Sequence, residues 1–392
     1  MKIAILTSGI LPVPAVQGGA VENLIDFCLD YNDRYHIHDI VVFSVSHSGT
    51  KGHPALRSKV NQYYYINTKS FFAKIRKEFH KIRCSNYNYY NDSTEYYLSK
   101  ALDVIKHIQF DIILIENRPG YVLKVKDITS AKIVVHQGND YLNSQTRFCN
   151  EIYTNTNRVI NASEYITQQV KTINREGRKC ITVLNGIDTR LFYNAESFNR
   201  QHLGFHDNDF VIVFSGRLTK EKGILQLIQS VKQIKQIQNL KIMIIGASAY
   251  GRDKHPTPFI RQLEEESEPI KGNVVFTGYI DYNQVPSYLK IADIAVVPSM
   301  WEEPFGLTVV EAMAAGLPLI TTRSGGIPEI CEGVATIVER DNIVDNLAAA
   351  ILDLYEHPEK RAIMSKASLE HSKLFDKETY AKNFFAALDD LC

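Results

Sequence analysis

A chain of 392 residues is longer than one hydrophobic core usually serves, so two domains are expected. Apolar residues make up 45% and charged residues 22%, which excludes a disordered, collagenous or membrane-embedded class. Lysine plus arginine and aspartate plus glutamate are both 44, so no net charge draws the chain to nucleic acid. The six cysteines (Cys28, Cys84, Cys149, Cys180, Cys331, Cys392) show no C-x-x-C pair and no histidine at zinc spacing. Reduced thiols in a cytoplasmic protein fit that pattern. The N-terminus, MKIAILTSGILPVP, has one lysine, a short apolar run and then turn residues, and reads as a first strand rather than a signal peptide. No run approaches the roughly 18 apolar residues of a spanning helix. A soluble protein is expected, or one that at most sits at the inner membrane surface.

In the first half, short apolar runs predict buried strands at Ile3 to Thr7, Ile40 to Val45, Tyr63 to Ile66, Ile112 to Glu116 and Lys132 to His136. Helical spacing lies between them at Val21 to Tyr31 and Ser93 to Gln109. Alternating strand and helix implies parallel sheets covered on both faces, with ligands at the carboxyl ends of the strands. Gly18-Gly19-Ala20 stands between the first strand and its helix, where a glycine-rich loop can cradle phosphate.

Residues 70–83, SFFAKIRKEFHKIR, predict a basic amphipathic helix. Phe72, Ile75, Phe79 and Ile82 share one face, and Lys74, Arg76, Lys77, Lys81 and Arg83 crowd the rest. Such a helix either lies on an anionic membrane or packs its apolar face into the core. The nearby Tyr87, Tyr89, Tyr90, Tyr96 and Tyr97 are candidates for a sugar-stacking surface or for packing. Glu116-Asn117-Arg118-Pro119 closes one strand and offers Asn117 and Arg118 as acceptor contacts. His136 closes the next strand at an edge that faces the expected cleft. Asn185-Gly186-Ile187-Asp188 is a turn-forming tetrapeptide suited to a hinge.

The second half repeats the alternation. Strands are predicted at Phe210 to Ser215, Lys241 to Ile245, Val274 to Phe276, Ile294 to Val297, Leu319 to Thr321 and Thr336 to Val338. Helices are predicted at Ile224 to Ile237, Gln284 to Lys290, Leu307 to Ala315 and Asn342 to Tyr355. The expected fold class is α/β, with two doubly wound Rossmann-like domains facing across a cleft. Their expected bounds are 1–188, completed by a C-terminal helix at 377–392, and 189–376.

Three loops at strand ends of the second half hold the chemistry. Glu303-Pro304-Phe305-Gly306-Leu307-Thr308-Val309-Val310-Glu311 places one carboxylate before a helix start and one about a turn inside it. Amides at Gly306, Leu307 and Thr308 suit an anion or a sugar oxygen, and the carboxylates suit hydroxyl donors. Ser215 to Gly223, SGRLTKEKG, brings Arg217 and Lys222 to the approach of another helix, a receptor for pyrophosphate that needs no metal. Ser324-Gly325-Gly326-Ile327-Pro328-Glu329 has glycines that permit close backbone approach to a ligand. Tyr279 and Ile280, after Thr277-Gly278, can flank a base or pack in the core.

SGRLTKEKG, EPFGLTVVE with its E-x7-E spacing, and GGIPE together resemble the family 4 glycosyltransferases of the GT-B fold. Weaker matches at Gly18-Gly19, His136 and Asn185 to Asp188 extend the resemblance over nearly the whole chain. The resemblance implies that Arg217 and Lys222 bind the donor diphosphate and stabilise the leaving group. It implies that Glu311 holds the ribose hydroxyls, while Glu303 and the amides from Phe305 to Leu307 hold the donor sugar. Gly19 would close over the donor phosphates and His136 would touch the sugar near the reacting carbon. The implied reaction is retaining transfer of a hexose or N-acetylhexosamine from a nucleotide diphosphate sugar, with UDP the expected nucleotide. The acceptor is expected to be a hydroxyl of a glycan or lipid-linked molecule in cell-surface polysaccharide synthesis. No cofactor, metal or nucleic-acid partner is expected: no convincing D-x-D cluster for a divalent metal is seen, and Asp389-Asp390 sits in the terminal helix, far from these loops in sequence. A sugar-nucleotide epimerase and a non-catalytic nucleotide-sugar-binding subunit share the same features. A nicotinamide dehydrogenase is disfavoured, because no G-x-G-x-x-G follows the first strand.

Overall fold

The computed structural model describes residues 1–83, 90–248 and 257–391. Cys84, Tyr87, Tyr89 and Cys392, and the side chains of Ile82 and Arg83, lie outside the described residues. The chain divides into two compact units, Met1–Gly186 with Lys377–Cys392, and Ile187–Asp376.

In the first unit, the described strands are β1 (Lys2–Leu6), β2 (Asp39–Val45), β3 (Asn61–Ile66), β4 (Ile112–Glu116), β5 (Lys132–Gln137), β6 (Arg158–Asn161) and β7 (Cys180–Thr182). They form one parallel sheet in the order β3-β2-β1-β4-β5-β6-β7. β6 and β7 add to the five expected strands; at four and three residues they are too short for a period to register. Side-chain alternation sends Ile3 and Ile5 to one face of the sheet and Ala4 and Leu6 to the other. Both faces are covered, so β1 and β4 read as continuous apolar runs.

The described helices of this unit are α1 (Ala20–Tyr35), α2 (Phe71–Arg83), α3 (Glu95–Ile105), α4 (Val122–Val125), α5 (Cys149–Thr154) and α6 (Glu164–Lys171), with a C-terminal helix at Lys377–Asp389. That last helix joins α1 over the Ile3 and Ile5 face through Tyr380, Phe384, Phe385 and Leu388. Each such side chain contributes roughly 1.5–3 kcal/mol when buried. Tyr90 and Tyr97 belong to the core on the opposite face, with Tyr96 packed against it. They are packing residues.

The second unit has β8 (Phe210–Ser215), β9 (Leu240–Ile245), β10 (Val274–Gly278), β11 (Ile294–Val297), β12 (Leu319–Thr322) and β13 (Thr336–Val338), parallel and in the order β10-β9-β8-β11-β12-β13. Its described helices are α7 (Thr189–Tyr193), α8 (Ile224–Gln233), α9 (Pro258–Ser267), α10 (Val285–Leu289), α11 (Leu307–Ala314), α12 (Ile327–Cys331), α13 (Ile343–Glu356) and α14 (Pro358–Ser372). α14 escaped the sequence reading because it buries only Ser368 and Ser372, leaving no apolar stripe to detect. Each unit is therefore the doubly wound α/β sheet expected. The strand order reverses between β1 and β4 in one unit and between β8 and β11 in the other. At such a switch point the two crossovers depart to opposite faces, and their loops leave a crevice at the carboxyl edge.

Candidate functional site

In the second unit the loops after β8 and β11 meet at this switch point. Gly223 takes a left-handed conformation with φ 72°, and a Cβ there would lie 1.8 Å from the Pro298 carbonyl oxygen. Only glycine lets the two backbones approach so closely. The Met300 amide then donates to the Glu221 carbonyl at 2.8 Å.

That contact seats Lys222 against residues 299–303. Its ammonium donates to Glu303 Oε1 at 2.6 Å and lies 5.4 Å from the centre of the Trp301 ring. The Ser299 hydroxyl donates to the same Oε1 at 2.5 Å. Glu303 is buried, and its other carboxylate oxygen, Oε2, receives no hydrogen bond from the described residues. Two donors thus hold one oxygen and leave the second for a ligand hydroxyl. Ser299 is itself fixed, because its carbonyl accepts from Thr322 Oγ1 at 2.7 Å and Ser324 Oγ at 2.9 Å.

The Gly325-Gly326 loop braces this arrangement. The Gly325 amide donates to Glu302 Oε2 at 2.6 Å and the Gly326 amide to the Glu303 carbonyl at 2.8 Å. Glu302 also pairs with Arg340. At φ 52° a Cβ on Gly325 would lie 2.2 Å from the Glu303 carbonyl oxygen. Its close approach, expected to be to a ligand, is to the backbone that carries Glu303.

After Gly306, left-handed at φ 115°, α11 begins at Leu307 with no side chain capping its first amides. Gly306, Leu307 and Thr308 are half-buried, whereas Phe305 is buried and its ring lies 6.1 Å from that of Phe375. Glu311 is buried in α11, and burial pushes its carboxyl from 4.5 up to about 7, opposed by a hydrogen bond with Tyr282. Burial also raises the Tyr282 phenol, and the Glu311 charge adds to that. Tyr279, exposed, and Ile280, half-buried, precede Tyr282 in the β10–α10 connection. Arg217 is exposed on the Lys222 loop and makes no ion pair among the described residues.

The structure joins Lys222 to Glu303 directly and ties Glu311 to the β10–α10 connection. It shows no side-chain contact between Arg217 and the other three. Ser299, Trp301 and Tyr282 escaped the sequence reading. Pro298-Ser299 at the end of a strand was the available signal for Ser299; nothing in the spacing marks Tyr282. A separate cavity of about 500 Å3 in this unit is lined by residues of α7 and α14, including Arg190, Tyr193 and Leu369, and by none of the residues above.

In the first unit, His136 and Glu116 are register partners on β5 and β4, with Nδ1 2.8 Å from the Glu116 Oε2. Both are buried, and the imidazole packs edge-on to the Phe384 ring with centroids 5.0 Å apart. The His136 Nε2 is buried with no hydrogen-bond partner. Asn117, at φ 53°, accepts from the Gly138 amide at 2.6 Å and donates its own amide to the His136 carbonyl at 2.9 Å. Its side chain thereby ties two strand-end loops. Arg118 Nε donates to the Ser8 carbonyl at 3.3 Å. Gly19 caps α1 at φ 114°, and a Cβ there would lie 2.2 Å from the Glu22 carboxylate. Burial raises Glu22 to about 7, so the first turn of α1 carries a carboxyl that is part-protonated at neutral pH.

Residues 195–371 match the family model described as glycosyl transferases group 1. Over that segment the chain is similar to this glycosyltransferase family. It is 27% identical over 399 residues to the putative glycosyltransferase YtcC of Bacillus subtilis, covering 97% of this chain and 90% of that protein. It is 26% identical to the lipopolysaccharide 1,2-N-acetylglucosaminetransferase of Salmonella typhimurium, over 70% of this chain and 73% of that one. Among solved structures, HepE of Anabaena in complex with UDP superposes with a TM-score of 0.75 over the full length of both chains at 20% identity. That likeness establishes the GT-B class of fold. The matched segment contains Arg217, Lys222, Glu303 and Glu311, and so spans the site just described.

Proposed function

We propose that this chain is a retaining glycosyltransferase that moves a hexose or N-acetylhexosamine from a UDP-sugar to a hydroxyl of a glycan or lipid-linked acceptor, in cell-surface polysaccharide synthesis and without a metal ion. The observation that carries the reading is the Lys222–Glu303 pair, held by Ser299 at a switch-point crevice beside uncapped helix amides. The acetylglucosaminyl relative and the UDP complex of the structural neighbour support the choice of donor.

In this reading Arg217 and Lys222 meet the diphosphate, with the amides of Gly306 to Thr308 as neutral donors. Glu303 Oε2 accepts from a donor-sugar hydroxyl, and Glu311 accepts from the ribose hydroxyls beside Tyr279 and Ile280. For Gly19 and His136 we retain the donor-side roles implied by the family. Arg118 is a better acceptor contact than Asn117, whose side chain is engaged with Gly138.

The acceptor oxygen bonds to the anomeric carbon as that carbon's bond to the diphosphate oxygen breaks on the same face. The acceptor proton passes to the departing phosphate, so neither glutamate serves as a nucleophile. Negative charge grows on the leaving group, where fixed cations and amides stabilise the transition state more than the ground state. The test is a panel of nucleotide sugars with glycan and lipid-linked acceptors. Nucleoside diphosphate released only when acceptor is present supports transfer. Isomerised donor without release supports an epimerase, and binding without turnover of any donor supports a non-catalytic subunit.

A further inference from the structure

α2 is oriented against the usual rule for a surface helix. Among its described side chains Ala73 and His80 are the buried ones, the latter edge-on to Tyr90 with ring centroids 5.7 Å apart. Polar contacts hold that side to the unit: Arg76 grips Glu95 through Nε and Nη2, each at 2.9 Å, and Lys77 donates to Ser93 at 3.2 Å. The apolar side is the one in water. Phe71 is 72% exposed, Phe72 74%, Phe79 56% and Ile75 39%. At 100° per residue these four fall within one arc, well away from Ala73 and His80.

Basic side chains flank that arc. Lys69, Lys74 and Lys81 are exposed, and among the described residues Lys69 and Lys74 have no carboxylate partner. Lys81 is paired with Glu78 at 3.1 Å, a contact that solvent and salt weaken. Aromatic rings on one arc with unpaired lysines alongside complement a surface that is apolar beneath and anionic above. A lipid bilayer carrying anionic headgroups has that layering.

We propose that α2 docks the protein on anionic membranes, with Phe71, Phe72 and Ile75 entering the headgroup boundary and Lys69 and Lys74 reaching lipid phosphates. No described helix is long and apolar enough to cross a membrane, so this is a surface contact. It is independent of the donor-site assignment.

The test is co-sedimentation of the full chain with vesicles of phosphatidylcholine alone, or with about one third phosphatidylglycerol, the proportion that sets the surface potential. Wild type should bind the anionic vesicles and release at high salt. The double substitution Phe71→Ser, Phe72→Ser should weaken binding by at least about tenfold. Lys69→Glu with Lys74→Glu should do the same through the opposite term. Unchanged thermal unfolding shows that the variants are folded, and Ile75→Ser provides an independent apolar variant. Equal binding to both vesicle types, no binding, or binding insensitive to all three variants overturns the proposal. So does a wild-type dimer in sedimentation velocity that Phe71→Ser, Phe72→Ser dissociates.

Discussion

Lys222 Nζ lies 2.6 Å from Glu303 Oε1, although 81 residues separate them. The contact exists because β8 and β11 are neighbours at a switch point, which delivers both loops to one spot. Lys222→Ala removes the cation and leaves a buried carboxylate with Ser299 alone, so kcat should fall by about 100-fold or more. Lys222→Ala with Glu303→Gln should cost less than the sum of the single effects, because the pair acts as a unit. Steady-state release of nucleoside diphosphate measures this, and strict additivity would show that the pair is not coupled.

Ser299→Ala leaves every charge in place but frees Glu303 Oε1 from one donor. A hydrogen bond to a charged group is worth about 1.5–3 kcal/mol. Turnover should therefore fall by roughly tenfold or more, with Ser299→Thr intermediate. A stopped assay showing wild-type turnover in Ser299→Ala would remove the serine from the account.

Glu311 gives a pH signature. Its carboxyl is pushed up to about 7 by burial, and only the ionised form can accept at both oxygens, from Tyr282 and from the ribose hydroxyls. UDP affinity should fall as pH drops from 8 to 6 by about tenfold for this one proton. Glu311→Gln should bind more weakly at pH 8 and lose that slope. Calorimetry at several pH values decides the point.

The same burial affects stability. Glu22, Asp26 and Glu311 each have a carboxyl raised to about 7. Between roughly 4.5 and 7 the folded protein holds protons that the unfolded chain has released. The stability contributed is complete below the unfolded values and is lost as pH rises through about 7. Each group contributes a slope of up to about 1.4 kcal/mol per pH unit. Urea melts across that range should show stability falling, and Glu22→Gln should flatten the trend.

Gly325→Ala should disturb the site without touching a charged group. A Cβ at 2.2 Å from the Glu303 carbonyl oxygen must displace that backbone, and φ 52° disfavours any side chain. A loss of about 1–3 kcal/mol is expected, with a larger proportional loss of turnover. Gly272→Ala, where a Cβ meets nothing within 4 Å, is the control.

Much of this was legible in the sequence, for reasons that named residues make plain. FVIVFS of β8 and IAVV of β11 read as strands because both faces are buried. Lys222, Glu303 and Glu311 could be named as candidates because they lie on segments that follow strand ends and lead into helices. Ser299, Trp301 and Tyr282 were not, because their roles depend on contacts between segments distant in the chain. Periodicity found the apolar arc of α2, yet whether a neighbour covers that arc is a tertiary fact. The glycines of Ser324 to Glu329 announced a close approach, and only the structure shows that it is to the Glu303 backbone.

The proposed function places the donor diphosphate on Lys222 and the ribose on Glu311 in the second unit. Calorimetric titration of UDP into the full chain, in EDTA, tests it most directly. Binding by the wild type should persist in chelator and weaken at least about tenfold in Lys222→Ala and in Glu311→Gln. Wild-type affinity in both variants, or binding abolished by EDTA, would contradict it.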